Sequence, residues 1–382
     1  MIRAGVGLSI DSDPLRAAEE AVSDALCRSG RADAALLLAT PSFAEGMGDL
    51  LEVAIGALGT RRLAGATCHG VIGLGREEEA GVVVLAVSGL DVETFLLDDL
   101  DPFEPRVGEE LRARVGGEPR AEDLVVLLPD PRGVPLLATL NEVRESLAPA
   151  LVVGGGAADP VWDRPQQWCG RDIASGGLAG MVLRGARPPR VGVTQACRPL
   201  CDPLPVTRAQ GHWILELDGR PALDVYREAA LGPLGEDLRR AAGFVLAALP
   251  KADGGPLEPG GYLVRNVAGF ALEEKAFAIP EALKTGELLG LVVREPEAAR
   301  ADLKAMLAGL EGGGDPALGL YFDCCARGAA LFGVPGLESG YLEQSLGGTP
   351  LAGMFGSCEI GPVGGRPELL TYTGVLALID HD

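Results

Sequence analysis

Aromatic residues make up only 4% of this 382-residue chain, so its core must be assembled mainly from Leu, Val and Ala. Positive charge is scarce beside negative: 33 Lys and Arg against 54 Asp and Glu leave a net charge of -21. Such a chain repels phosphate backbones and anionic lipid, which argues against nucleic acid and membrane surface as partners. No apolar run reaches the ~18 residues needed to cross a bilayer. The N-terminus, MIRAGVGLSIDSDP, carries one early Arg and meets Asp11 and Asp13 before any adequate apolar stretch, so no secretion signal is expected. Eight cysteines are scattered with no dense framework, and they read as reduced thiols of a cytoplasmic protein. No Cys-x-x-Cys occurs, and Cys197 and Cys201 lack zinc-knuckle spacing, so no metal is expected. There is no Walker loop and no Gly-x-Ser-x-Gly elbow. Gly154-Gly155-Gly156 follows a strand, but Asp159 and Pro160 come too soon for a dinucleotide-binding helix. Glu77, Glu78 and Glu79 after the glycines of residues 70–75 repel a pyrophosphate, so no cofactor is expected.

What is present is ordinary globular material. Apolar residues at 47% and charged residues at 23% argue against disorder, and the length calls for two domains. The expected division is 1–225 and 226–382. The 55 glycines and 28 prolines fall between apolar segments and read as turns.

Asp13-Pro14 opens a helix whose apolar face runs through Leu15, Ala18, Val22, Ala25 and Leu26 until Gly30. A buried strand at 34–39, a helix at 46–58 and a short strand at 63–66 follow, entering Thr67-Cys68-His69-Gly70. Residues 82–87 and 92–97 read as successive antiparallel strands joined near Gly89. The pattern then returns. Leu36 aligns with Val125 and Gly65 with Gly154 at one offset of 89 (125 less 36, 154 less 65). A looser third copy places Leu351-Ala352-Gly353 against Leu63-Ala64-Gly65.

Between the second and third copies lie short β-rich runs at 177–183, 190–196, 205–209 and 213–217, then a helix after Pro221 and strands at 244–249, 262–267 and 288–293. Pro296 opens another helix. The chain closes with a strand over 369–379. Repeated strand–helix–strand units together with hairpins predict an α+β fold (mixed α/β): two domains of mixed sheets with packed helices.

The chemistry concentrates in residues 318–362. An apolar run at 318–322 reads as a buried strand ending in Asp323, Cys324, Cys325 and Arg327-Gly328. A helix with Leu337, Tyr341, Leu342 and Leu346 on one face leads to a strand between Pro350 and Gly353, then to Gly356, Ser357, Cys358, Glu359 and Gly361. Arg327 offers a planar fork of donors suited to a carboxylate. Glycines at strand ends leave backbone N–H groups for an anion, and Glu359 can accept from an ammonium. The set fits an amino-acid zwitterion. It equally fits a structural ion pair between Arg327 and Glu359. Cys324 and Cys358 are candidate nucleophiles only if a base or a depressed pKa activates them, and buried cysteines are usually inert. Trp162 and Trp168 read as loop aromatics that stack on a ligand or pack on a sheet.

These residues carry a resemblance. Cys324-x-x-Arg327-Gly328, Pro350-Leu-Ala-Gly353 and Glu359-Ile-Gly-Pro362 resemble the signature of the FIST C domain. Val152-Val-Gly-Gly-Gly156, Gln195-Ala-Cys-Arg-Pro199, Val206-Thr207 and residues 214–222 resemble the FIST N domain, and Tyr262-Leu-Val-Arg265 resembles the start of the C-terminal half. The likeness covers nearly the whole chain in order. It implies an intracellular sensory module of signal transduction that binds small molecules such as amino acids, here as a stand-alone copy. The family position before Glu359 is often Gly, so Cys358 brings a thiol to that place. The candidate ligand set is Cys324, Arg327, Gly328, Gly356, Cys358 and Glu359, with Cys68, His69 and Gly155 at the ends of the first two copies. A thiol-dependent enzyme acting on an amino-acid-like substrate and an acidic scaffold for a protein partner stay open beside the sensor.

Overall fold

The computed structural model describes residues 1–98, 100, 106–115, 117–161, 163–230, 233–251 and 257–381. It is a mixed α+β chain in two compact units. The larger comprises Met1–Val193, Lys304–Leu369 and Thr373–Asp382; the smaller comprises Thr194–Leu303 and Leu370–Tyr372. Trp162 lies outside the described residues.

The larger unit is organised by three strand–helix–strand repeats. In each, two strands pair in parallel: Ala34–Ala39 with Leu63–Thr67, Asp123–Pro129 with Leu151–Gly155, and Pro316–Cys324 with Leu351–Gly356. Parallel neighbours need a crossover. The connecting helices Met47–Leu58 and Leu136–Leu147 supply it in the first two, and Leu337–Leu346 forms part of it in the third. Each pair sits inside a six-stranded sheet of one plan. Two further strands lie on one side, and an antiparallel hairpin adds to the second parallel strand on the other.

That hairpin always comes from a different repeat. The hairpin Gly70–Gly73 with Arg76–Glu78, which follows the first repeat, pairs with Leu351–Gly356 of the third. Gln167–Cys169 with Asp172–Ala174, after the second repeat, pairs with Leu63–Thr67 of the first. Glu359–Val363, after the third, pairs with Leu151–Gly155 of the second. The exchange closes in a ring, so every sheet edge next to a second parallel strand is covered by a neighbour, as edge strands require. The strand ends are stitched together by backbone bonds. His69 N donates to Phe355 O at 2.9 Å, Ala158 N to Thr67 O at 2.9 Å, and Gly156 N to Cys358 O at 2.8 Å.

One glycine recurs for a steric reason. A Cβ on Gly65 would stand 1.8 Å from Leu37 O, on Gly154 2.0 Å from Leu127 O, and on Gly353 2.3 Å from Tyr321 O. Each faces the carbonyl of its partner on the parallel neighbour. The aligned glycines of the three copies are therefore places of close backbone approach.

Other expected elements form with local differences. Asp13 caps the helix Pro14–Ser29 by accepting from Leu15 N and Arg16 N. The strands Val82–Ser88 and Asp91–Leu97 do not pair with each other: they belong to different sheets, and Gly89, at φ 76°, turns the chain between them. The expected closing strand is two, Arg366–Leu370 and Thr373–Asp380, broken where Tyr372 takes φ 61°. Trp168 is wholly buried against the first sheet's helices, so it packs and does not stack on a ligand. The smaller unit holds a nine-stranded, antiparallel-paired sheet whose core includes Leu246, Ala248, Tyr262, Val264 and Val292.

Candidate functional site

The buried charge of the third repeat sits at the C-terminal end of its first parallel strand. Pro316–Cys324 buries every residue after its first, so Asp323 leaves the sheet fully enclosed. Arg327 follows one turn later, 1% exposed. Its Nε lies 2.9 Å from Asp323 Oδ1, and its Nη2 is tightly paired with Glu338 Oε1. Glu338 stands in the first turn of the helix Leu337–Leu346, which Gly336 starts with no side-chain cap. Tyr321 Oη donates to Glu338 Oε1 at 3.1 Å, and Gly328 N to Glu338 Oε2 at 3.2 Å. Glu77, from the hairpin that follows the first repeat, supplies the missing cap: its Oε1 accepts from Glu338 N at 3.1 Å and Ser339 N at 3.0 Å. Glu77 Oε2 is buried and has no partner, and neither has Arg327 Nη1.

Protonation follows from this enclosure. Burial pushes the Asp323 carboxyl well above its ordinary range, and Glu338 beside it pushes the same way, against Arg327. Burial is the largest influence on Glu338 and pushes it up, but the Arg327 guanidinium and the hydrogen bonds from Asp323, Arg327 and Gly328 N together outweigh it and hold Glu338 low. One ionised carboxylate and one protonated carboxyl thus flank the guanidinium. Glu359 is a second protonated acid. Burial raises it well above its usual value and Cys324 adds to this, while Thr373 N and Oγ1 donate to its Oε2 at 3.2 and 2.7 Å.

A cavity of about 360 Å³ opens beside the cluster. His69, Glu77, Glu79, Cys325, Arg327 and Phe355 are among its walls. Of the expected ligand set, His69 and Arg327 line it. Cys324, Gly328, Gly356, Cys358, Glu359, Cys68 and Gly155 are not part of the wall. Their surroundings explain why. Gly328, at φ 51°, spends its N–H on Glu338, and a Cβ there would strike the Phe355 ring at 2.7 Å. Gly155 packs on Phe322 and Met354, and a Cβ on Gly356 would stand 3.1 Å from Gly156 O. These glycines serve close packing, so the expected floor of bare amides is not what they form. Cys68 is buried, its thiol donating to Ala39 O at 3.4 Å, and burial lifts its pKa to about 12. Burial and then Glu359 push the Cys358 thiol up as well. Arg327 does not pair with Glu359; its partners are Glu338 and Asp323.

Four residues of the cluster escaped sequence reasoning as site residues: Asp323, Glu338, Glu77 and Cys325. Burial depresses His69, against Asp159, which leaves a neutral imidazole at neutral pH. Among the described residues, Arg327 is the one cation in the wall, and its charge is already matched by Glu338. With Glu77, Glu78 and Glu79 alongside, the cavity favours a cationic group. Among the described residues no group of three His, Cys, Asp or Glu is arranged to hold a metal ion, and no helix is long and apolar enough to cross a membrane.

Fold and site together define a mixed α+β protein of three interlocked repeats with an acidic cavity beside a buried ion cluster. Residues 33–220 match the FIST N domain and residues 222–362 the FIST C domain. The chain belongs to the FIST family, whose domains are sensory domains of signal transduction. It is similar to an uncharacterized protein of Mycobacterium tuberculosis, 34% identical over 386 residues and 99% of each chain. It is also similar to one of Mycobacterium bovis, 32% identical over 391 residues and 100% of each. A cyanuric acid hydrolase from A. caulinodans shows 14% identity and a TM-score of 0.34 over 99% of this chain and 100% of its own, a likeness too low to carry an argument.

Proposed function

We propose that this chain is a sensor that binds a small amine-bearing ligand, of the amino-acid class, in the cavity beside Arg327. The observation that carries this reading is Glu77: one carboxylate oxygen caps a helix while the other lies buried and unpartnered, on a wall whose one described cation is already matched. An unpaired buried acceptor costs stability, and an ammonium donor removes that cost. Ligands collect at the carboxyl ends of parallel strands, which is where this cavity lies. The ligand's carboxylate, where it has one, meets the remaining N–H of Arg327. Eight cysteines, none in a disulfide among the described residues, support a cytoplasmic location. A protein partner that reads the bound state completes the signalling role.

Thermal unfolding across a panel of amino acids, simple amines and carboxylic acids tests this. Binding at a hundredfold excess over Kd stabilises by about 2.7 kcal/mol. Amine-bearing compounds are expected to raise Tm, and Glu77→Gln, which keeps the helix cap but drops the charge, is expected to lose the shift. No shift with any amine, or an undiminished shift in Glu77→Gln, overturns the reading.

A further inference from the structure

Cys325 sits on the wall of the same cavity and is exposed. Its backbone N–H is fixed to Gly356 O at 2.9 Å, which holds the turn. Its sequence neighbour Cys324 is buried, so an exposed thiol and an enclosed one stand side by side at the end of the strand. Arg327, 1% exposed and in the same wall, keeps Nη1 without a partner. An exposed thiol beside a second thiol, in a cavity with a spare buried donor and an acidic rim, is an arrangement for chemistry on sulfur.

We propose that Cys325 is a covalent attachment point for small cationic disulfides that enter this cavity. The inference rests on the amine-bearing ligand reading for its charge preference, and on the paired thiols for its reactive atom. The Cys325 thiolate attacks one sulfur of R–S–S–R. A Cys325–S–S–R bond forms, the original S–S bond breaks, and the released thiolate takes a proton from water, so the disulfide is the only co-reactant. Ammonium groups on R are held by Glu77 and Glu79.

The groups facing Cys325 support a reactive thiol. The hydrogen bond from Cys324 is the strongest influence and lowers its pKa; burial opposes it, and Glu359 and Asp323 stand on the same opposing side. Both of those acids hold their protons, which weakens their opposition. His69, neutral, lines the same wall, together with the charged Glu77, Glu78, Glu79 and Arg327.

The test exposes the full chain to cystamine (cationic), bis(2-hydroxyethyl) disulfide (neutral) and dithiodiglycolate (anionic), with modification read by peptide mass spectrometry. Cys27, also exposed, is the internal reference. Cystamine is expected to modify Cys325 roughly tenfold faster than Cys27. At Cys325 cystamine is expected to outpace dithiodiglycolate by about tenfold or more, a margin that narrows in Glu77→Gln and at high salt. Cys324→Ala is expected to move the pH–rate profile of Cys325 to higher pH, and Cys324→Ser to keep it in place. Labelling of Cys325 no faster than Cys27, or equal rates with all three disulfides, overturns the inference. A chain stabilised by amines with an unselective Cys325 loses this inference and keeps the ligand reading. Selective cystamine labelling without stabilisation by any amine does the reverse.

Discussion

Replacing Arg327 by Met removes the one positive charge that balances a fully enclosed acid pair. Arg327, Asp323 and Glu338 side chains are all 0% exposed, so the lost contacts are made away from bulk solvent. Breaking a buried pair by deleting one partner costs roughly 3–5 kcal/mol, because the remaining charge stays buried without compensation. Met fills much of the arginine stem's volume, which keeps the packing loss small. The expected loss is therefore electrostatic and depends on pH. With the guanidinium gone, burial acts on Glu338 with only the hydrogen bonds from Asp323 and Gly328 against it and drives it toward the protonated form, as it already does for Asp323. The variant's native state then binds a proton that its unfolded state releases, so lowering the pH from 7 toward 5 should recover part of the loss. The double variant Arg327→Met with Glu338→Gln removes both charges and should be more stable than Arg327→Met alone at pH 7. Urea unfolding followed by circular dichroism at several pH values measures each of these. A loss below about 1 kcal/mol for Arg327→Met, or a loss that grows as pH falls, would refute the description of a buried pair with one protonated acid.

Further outcomes follow from the same geometry. Glu359→Gln keeps an acceptor for Thr373, and since native Glu359 holds a proton that the unfolded chain loses above ~4.3, wild-type stability should fall with rising pH where the variant's does not. The variant should gain on the wild type from pH 5 to 8, and parallel stability–pH curves would count against a protonated Glu359. Gly65→Ala and Gly154→Ala, whose methyls would stand 1.8 and 2.0 Å from carbonyl oxygens, should each cost about 3 kcal/mol or more by calorimetry. Gly48→Ala, in the helix Met47–Leu58 with nothing within 4 Å, should be stabilising by roughly 0.5–1 kcal/mol. A tolerated Gly65→Ala would dismiss the close-approach account.

Much of the repeat is legible in the residues because it is local. Ala34–Ala39, Met47–Leu58 and Leu63–Thr67 each declare themselves by apolar spacing and a turn residue, and Gly65 and Gly154 align because the same carbonyl faces both. The hairpin exchange is not legible. Gly70–Gly73 pairs with Leu351–Gly356 across nearly the whole chain, and no local pattern names a distant partner. That is why Glu77, in an acidic run, reads only as a repellent to phosphate, when it in fact reaches the start of a helix more than 250 residues away. Arg327 is legible as a site residue by type, but its partner is not. Glu338 and Glu359 are both acids near it in sequence, and only the fold decides that the helix start delivers Glu338. The glycines mislead in a consistent way. A strand-end glycine predicts an open amide, whereas Gly155 and Gly356 lie in tight packing, where an added Cβ would come within 3.2 Å of the Phe322 ring and 3.0 Å of Cys358 O.

The three repeats also explain why the chemistry gathers in one of them. The residue directly after the first parallel strand is Thr40, Asp130 and Cys325 in turn. Thr40 Oγ1 accepts from Gly81 N at 3.1 Å while Thr40 N donates to Gly81 O. Asp130 does the corresponding work, its N–H on Gly177 O and its carboxylate on Arg132 N and Gly176 N. In both, a short polar side chain satisfies nearby backbone and closes the turn. Cys325 has no such oxygen, and its turn is closed by its own N–H on Gly356 O and by the Arg327–Glu338 pair. The stabilising task has passed from the turn's first side chain to a buried ion cluster. That transfer leaves the first side chain exposed beside the cavity, where a thiol can meet a ligand without the turn depending on it.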